Sequence, residues 1–339
     1  MAALPGSAGS AGPPASPVSR REVPADTLGT VHVDVPHLMR LRFRVQGLSF
    51  LAPAPVTSVL SGNHASRLRG RGLNFDEIRG YVPGDDIRHI DWRASMRLGR
   101  PLVRAYTEER DRPVQVVVDQ RMSMHFGSQR AFKSVVAAET AALATWMGYG
   151  AGDRVGGVVF NDTRVERVRP LRSQSRIARL FGVIAQMNAE LRADSPARTA
   201  YGQLNTALGQ LLHMSPHDHL ICIVSDFAGA DIRTQALLRQ LSVHNDVIAG
   251  LVFDPLWQHV DERSALVVSE GHLQVELRIA NERVRAPVAA FFRGRTAEVA
   301  ELLRMSGVPW TPLSSAESAI DQVRRLLGAH HPVGHGGGL

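Results

Sequence analysis

Asp119, Arg121, Ser123 and Asp226 are the residues whose types and spacing most directly suggest chemistry. The stretch VVVDQRMSMHFGS (116–128) runs from three valines into a carboxylate, an arginine, a serine and a glycine, as a buried strand does when it empties into a loop. In one common α/β design, a strand ending in Asp-x-Ser-x-Ser supplies the hard oxygen ligands that a divalent cation needs. Asp119 and Ser123 hold the outer positions of that pattern, and Asp226, closing the apolar run HLICIVSDF (219–227), offers a second carboxylate. The middle position is Arg121. A guanidinium adds repulsion where a ligand was required, yet its planar fork of donors can bridge two carboxylates as a cation would. The sequence therefore leaves open a degenerate Mg²⁺ site of Asp119, Ser123 and Asp226. The favoured expectation is a metal-surrogate Arg121 paired with Asp119, Asp226 or both, and no cofactor. A third outcome turns Arg121 to solvent on a partner-binding rim, with loop amides holding the acids.

These side chains need strands to place them. Val114 to Val118 reads as a strand covered on both faces. Arg130 to Met147 then sets Phe132, Val135, Val136, Ala142, Leu143 and Trp146 on one helical face. RVGGVVF (154–160) and TRVERV (163–168) read as strands, followed by a helix on which Ile177, Leu180, Phe181, Ile184 and Leu191 recur. Leu204 to Leu212 and Thr234 to Leu241 are shorter helices, and VIAGLVF (247–253) is another strand. A hairpin around Glu270 and Gly271, a helix from Arg283 to Met305, a short strand from Val308 to Thr311 and a helix from Ala316 to Leu327 complete the chain. Strands alternating with amphipathic helices imply right-handed crossovers and a doubly wound, mostly parallel, Rossmann-like α/β sheet. Ligands of such sheets meet the carboxyl ends of the strands, so Asp119 and Asp226 should lie together there, on adjacent central strands.

A second group of candidate residues lies earlier. SRLRGRGLNFDEIRGYVPGDDIRHIDWRASMRLGRPLVRAYTEERDR, up to Arg112, carries dense charge of both signs and no sustained helical or strand period. Pro83 and Gly84 suit the centre of a type II turn. Asp85, Asp86, His89 and Asp91 could bind a metal or activate water in a hydrolytic site. Interleaving with Arg79, Arg88 and Arg93 favours ion pairing in a scaffold instead. Tyr81 and Trp92 stand among arginines, as interface anchors do; for Trp92 the favoured alternative is packing of the charged segment onto the sheet. Arg67, Arg69 and Arg71 form a small basic run without an aromatic platform, which argues against nucleic-acid binding. No Gly-x-x-x-x-Gly-Lys-Ser/Thr loop is present to cradle a nucleotide phosphate.

Composition narrows the function classes further. The 339 residues, 44% of them hydrophobic, can bury a substantial core. A net charge of +7 comes from 39 basic and 32 acidic residues that are interleaved, a mixed surface that points to solubility rather than to a polyanion partner. Lys133 is the sole lysine. Cys222 is the sole cysteine, inside an apolar run, so no disulfide or cysteine-based zinc site can form within the chain. No apolar run has the ~18 residues of a membrane span, and the first residues lack a secretion-signal pattern, so the expectation is a cytoplasmic protein. The expected organisation is a disordered tail at 1–30, a charged extension at 31–113, an α/β domain at 114–328 and a disordered His/Gly tail at 329–339.

Two separated stretches carry a family resemblance. RGRGLNFDEIRGYVPGDDIRHIDWRAS (69–95), followed by VRAYTEERDRPVQVVVDQRMSM (103–124), resembles the bacterial domain of unknown function number fifty-eight, with GDRVGGVVFND (152–162) and IVSDF (223–227) similar to its later strands. The signature residues are Arg79, Tyr81, Gly84, Asp85, Asp86, Arg88, Asp91 and Trp92. The resemblance implies a von Willebrand factor A-like domain with the charged extension packed on it. It also implies a non-enzymatic interaction module working with a MoxR-type AAA+ ATPase on client proteins. A metal-ion-dependent ligand-binding domain is the alternative, with a second-loop threonine at either Thr199 or Thr206, and a hydrolase is the less favoured one.

Overall fold

The computed structural model describes residues 28–48, 50, 73–82, 87–108, 112–192, 199–215, 217–257, 265–269, 274–278 and 282–327. Its centre is a six-stranded sheet in the order β10-β7-β6-β3-β4-β5. The strands are β3 (Val114–Asp119), β4 (Val155–Phe160), β5 (Val165–Leu171), β6 (Leu220–Ser225), β7 (Asp246–Phe253) and β10 (Trp310–Ser314). All neighbours pair in parallel except β4 and β5. This is the doubly wound, mostly parallel α/β architecture that the alternating pattern predicts.

Side-chain alternation along the strands splits the core into two layers. Val116, Val118, Cys222 and Val224 face α3 (Lys133–Gly150), α4 (Gln174–Glu190) and α8 (Ala319–Leu326). Val117, Ile221 and Ile223 face α5 (Gly202–Met214), α6 (Ile232–His244) and α7 (Glu282–Met305). A strand buried on both faces cannot show a polar side, which is why β3, β6 and β7 read in sequence as near-continuous apolar runs. The expected hairpin is β8 (Ala265–Ser269) with β9 (Gln274–Arg278), antiparallel.

The extension carries two features that the sequence reading left unresolved. First, residues 28–48 form a strap across α3 and α4. Its helix α1 (Val35–Arg40) begins at Asp34, whose side chain accepts from the His37 amide at 2.6 Å. The strap is held by Trp146 Nε1 donating to Leu38 O (3.0 Å), Val33 N donating to Asn188 Oδ1 (3.0 Å), and a 2.7 Å contact between His37 and Glu139. Second, the charged segment is not irregular: β1 (Leu73–Gly80) pairs antiparallel with β2 (Leu102–Glu108), and α2 (Trp92–Leu98) lies between them. A bulge between Phe75 and Glu77 inserts one unpaired residue. Bulges shift the phase of a two-residue alternation, so no strand period survives across it. The disordered tails expected at the ends fall almost wholly outside the described residues, as do the turn at Pro83 and Gly84 and the basic run Arg67, Arg69 and Arg71.

Candidate functional site: a charge cluster at the strand ends

Asp119 ends β3 and Asp226 follows β6, and these strands are adjacent, so the two carboxylates stand at the same edge of the sheet. Arg121 turns back between them with its side chain fully buried, as is that of Asp119. Its Nε lies 3.0 Å from Asp119 Oδ1 and its Nη2 2.7 Å from Oδ2, a bidentate fork on one carboxylate. Nη1 donates to Ala228 O at 2.9 Å, and Nη2 reaches to 3.7 Å from Asp226 Oδ1. The guanidinium carbon lies 5.3 Å from the ring centroid of Phe160. Burial alone would lower the arginine pKa, but the charge and hydrogen bonds of Asp119, then the charges of Asp226 and Asp162, raise it above the ordinary range. Arg121 is therefore a permanent cation.

Asp226 is served by a second cation. Lys133 Nζ, at the first turn of α3, donates to Asp226 Oδ2 at 2.8 Å. Ser123 Oγ donates to Oδ1 at 3.3 Å, as does the Ala228 amide at 2.9 Å. Burial would raise this carboxyl, but Lys133 and then Arg121 hold it below the usual carboxylate range. Ser225 Oγ completes the shell of Asp119 with a 2.6 Å bond to Oδ2. The loop after β6 is bent to make these contacts: Phe227 is fully buried at φ 52, and Gly229 follows at φ 79. Left-handed backbone at a bulky residue costs roughly 1–3 kcal/mol and persists only where its surroundings hold it.

A third carboxylate braces the cluster from β4. Asp162 accepts from the Met122 amide (2.6 Å) and the Ala200 amide (2.7 Å), tying the loop after β3 to the chain entering α5. Burial raises its pKa against the effect of those two bonds.

The donor set does not fit a divalent cation. Asp119, Asp226, Arg121 and Lys133 already balance two negative and two positive charges. A metal between the acids would meet a guanidinium and an ammonium already paired to them, and the one further carboxylate, Asp162, could not offset its double charge. Ser123, the outer hydroxyl of the pattern, donates to Asp226 instead of facing an open position. Of the two threonines, Thr206 is exposed and donates to Gly202 O within its own helix at 3.2 Å, and Thr199 is half-buried. Sequence reasoning missed Lys133, Ser225 and Asp162 as members of the site.

The signature residues of the charged segment occupy a separate region. Asp85, Asp86 and Gly84 lie outside the described residues, as do the side chains of Arg79 and His89, so the hydrolytic grouping falls largely outside them. Asp91 is the N-cap of α2, accepting from the Ala94 amide at 3.0 Å. Arg88 is exposed, and Tyr81 is half-buried with its amide donating to Pro101 O at 3.0 Å. Trp92 corrects the favoured packing expectation: it is 65% exposed. The buried residues here are the cap Asp91 and Ser95, and the anchoring to Leu102 does not use the tryptophan.

A doubly wound α/β protein with a self-neutralised site at its strand ends is the class that fold and geometry define. Residues 77–298 match the family described as protein of unknown function DUF58, and the chain belongs to that family. It is 26% identical over 293 residues to the uncharacterized proteins Rv1480 of Mycobacterium tuberculosis and Mb1516 of Mycobacterium bovis, covering 85% of this chain and 89% of theirs. Among solved structures it is similar to the conserved hypothetical protein BatB from Bacteroides thetaiotaomicron (13% identity, TM-score 0.41, 64% of this chain and 97% of that one). An aerotolerance-related membrane protein from Bacteroides fragilis gives 12% identity and a TM-score of 0.38 over 64% of this chain and 99% of its own. Among the described residues no helix is long and apolar enough to cross a membrane.

Proposed function

We propose that the protein is a non-enzymatic, cytoplasmic interaction module: a von Willebrand factor A-like domain working with a MoxR-type AAA+ ATPase in the assembly or activation of client proteins. The observation that carries this reading is the buried Arg121 fork on Asp119, with Lys133 completing the charge balance on Asp226. A catalytic carboxylate needs a free oxygen near its reactant and a pKa matched to its task. Here the Asp119 and Asp226 oxygens are taken by side-chain cations, hydroxyls and an amide. Such a cluster shapes and stiffens loops, which suits a binding surface. The ATPase partnership rests on the family resemblance of the GYVPGDDIRHIDW segment, and the absence of a phosphate-cradling loop from the sequence supports a non-hydrolysing partner role.

The test is co-migration of the purified full chain with a MoxR-type ATPase on size-exclusion chromatography, with and without ATP, beside ATP turnover by the chain alone. The reading expects a complex in at least one nucleotide state and no turnover by the chain. Robust turnover without the ATPase, or no complex in either state, would contradict it.

A further inference from the structure

Helix α2 exposes apolar side chains that its own anchoring does not use. The helix is capped by Asp91 at its start and ended by Gly99 in the left-handed region at φ 66. It is fastened to the start of β2 by the Asp91 amide donating to Leu102 O (2.9 Å) and the Leu102 amide donating to Ser95 Oγ (2.9 Å). Trp92 and Met96, one turn apart, are 65% and 78% exposed. Residues four apart share a helix face. Arg93 and Arg97, also four apart, form the adjoining stripe, and Arg100 follows the helix; all three are exposed, and none has an ion pair with a residue whose side chain is described. An apolar stripe bordered by exposed arginines is thus presented on a capped two-turn helix.

Tryptophan and arginine are the side chains that most often anchor interfaces, because each combines a large apolar contact with directed donors. The charge selects the occupant. The charged side chains on α2 and at Arg100, past the Gly99 cap, are all guanidinium, so the complementary surface is carboxylate. A second copy of this face would bring arginine against arginine. Membrane binding scales with buried apolar area, of which Trp92 and Met96 supply little.

We propose that the exposed face of α2 docks an acidic segment of a partner protein, with an apolar residue of that segment seated on Trp92 and Met96 and its carboxylates on Arg93, Arg97 and Arg100. The proposal deepens the interaction-module reading and rests on it, since it names where a partner binds and with what chemistry.

The experiment uses the full chain and a labelled synthetic peptide of glutamates flanking leucines, followed by fluorescence polarisation, with a lysine-for-glutamate peptide as control. The acidic peptide should bind and the lysine peptide should not, with affinity falling as salt rises. Trp92→Ala and the double variant Arg93→Glu/Arg97→Glu should each weaken binding roughly tenfold or more. Melting curves of both variants should match wild type, and Met96→Gln gives an independent reading of the apolar stripe should one variant misfold. No binding of the acidic peptide, or equal binding by wild type and all variants, would overturn the proposal. So would capture of the chain by phosphatidylglycerol vesicles through Trp92 in preference to the peptide, or self-association that Trp92→Ala abolishes. A chain that forms the ATPase complex but ignores the peptide defeats the α2 proposal alone; one that binds the peptide but never the ATPase defeats the choice of partner.

Discussion

The strand-end cluster and helix α2 both depend on arginine, and they use it in opposite ways. At the strand ends, Arg121 is fully buried and its donors are spent on Asp119 and Ala228. On α2, Arg93 and Arg97 are exposed beside an uncovered tryptophan. Burial decides what each guanidinium does. One whose donors are consumed inside a low-dielectric pocket sets structure, and its removal is costly because a charge is left behind. One whose donors face water contributes little to folding and is free to recognise something else.

The largest effect should come from breaking the buried region. Asp119→Ala strands the Arg121 guanidinium without its main partner, and the loss should be ~3–5 kcal/mol in urea unfolding. A loss of under ~1 kcal/mol would mean that the guanidinium relaxes to water and that the two regions are not as different as the geometry implies.

Acid should distinguish the regions next. His125 sits in the loop after β3 against Phe132 (ring centroids 4.8 Å apart), and burial, with a smaller effect of His32, pulls its pKa from 6.5 down to about 4. His32 on the strap is lowered as well, again by burial. Because the folded state holds these imidazoles neutral, the unfolded chain binds more protons below its own pKa near 6.5. Stability should therefore be full above that value and decline as pH falls from about 6.5 toward 4. For His125 the loss is at most ~3 kcal/mol. The depressed Asp226 works in the same sense in a more acid window, contributing stability above the ordinary carboxylate range that is lost only at still lower pH. A pH series of melting temperatures for wild type and His125→Asn should show a shallower slope in the variant; identical slopes would remove His125 from the account.

Asp91→Ala lies between the extremes. As the N-cap of α2 its carboxylate satisfies the Ala94 amide, and loss of a cap costs about 1 kcal/mol. The smallest stability effect belongs to the exposed face: Trp92→Ala and Arg97→Glu should fall within about ±0.5 kcal/mol of wild type. A large destabilisation by either would show that α2 is packed rather than presented.

Much of the buried region is legible in the sequence. Apolar runs ending in Asp119 and Asp226 located the strand ends, and the spacing from Asp119 to Arg121 placed a cation beside them. Lys133 was harder, because its contact with Asp226 joins residues 93 apart and exists only once α3 crosses the sheet. A signal was nevertheless present, since it is the sole lysine in an arginine-rich chain. Helix α1 also left a trace in Asp34 followed by Pro36, a helix-start pattern that six residues of helix made easy to overlook. The extension was less legible. The ladder of β1 and β2 is closed over a long intervening segment and broken by a bulge, so neither strand shows a clean alternation. The exposure of Trp92 depends on which side of α2 is fastened, and Asp91 and Ser95 decide that through contacts with Leu102.

On this reading Arg121 stands where a divalent cation would otherwise sit. Isothermal titration of the full chain with Mg²⁺ and Mn²⁺, beside Arg121→Ser, tests it most directly. The substitution restores the missing hydroxyl and removes the charge between Asp119 and Asp226. Wild type should release no binding heat with either ion, whereas Arg121→Ser should gain measurable affinity. Saturable metal binding by the unmodified chain, lost in Asp119→Ala, would contradict the account and restore a metal-dependent site.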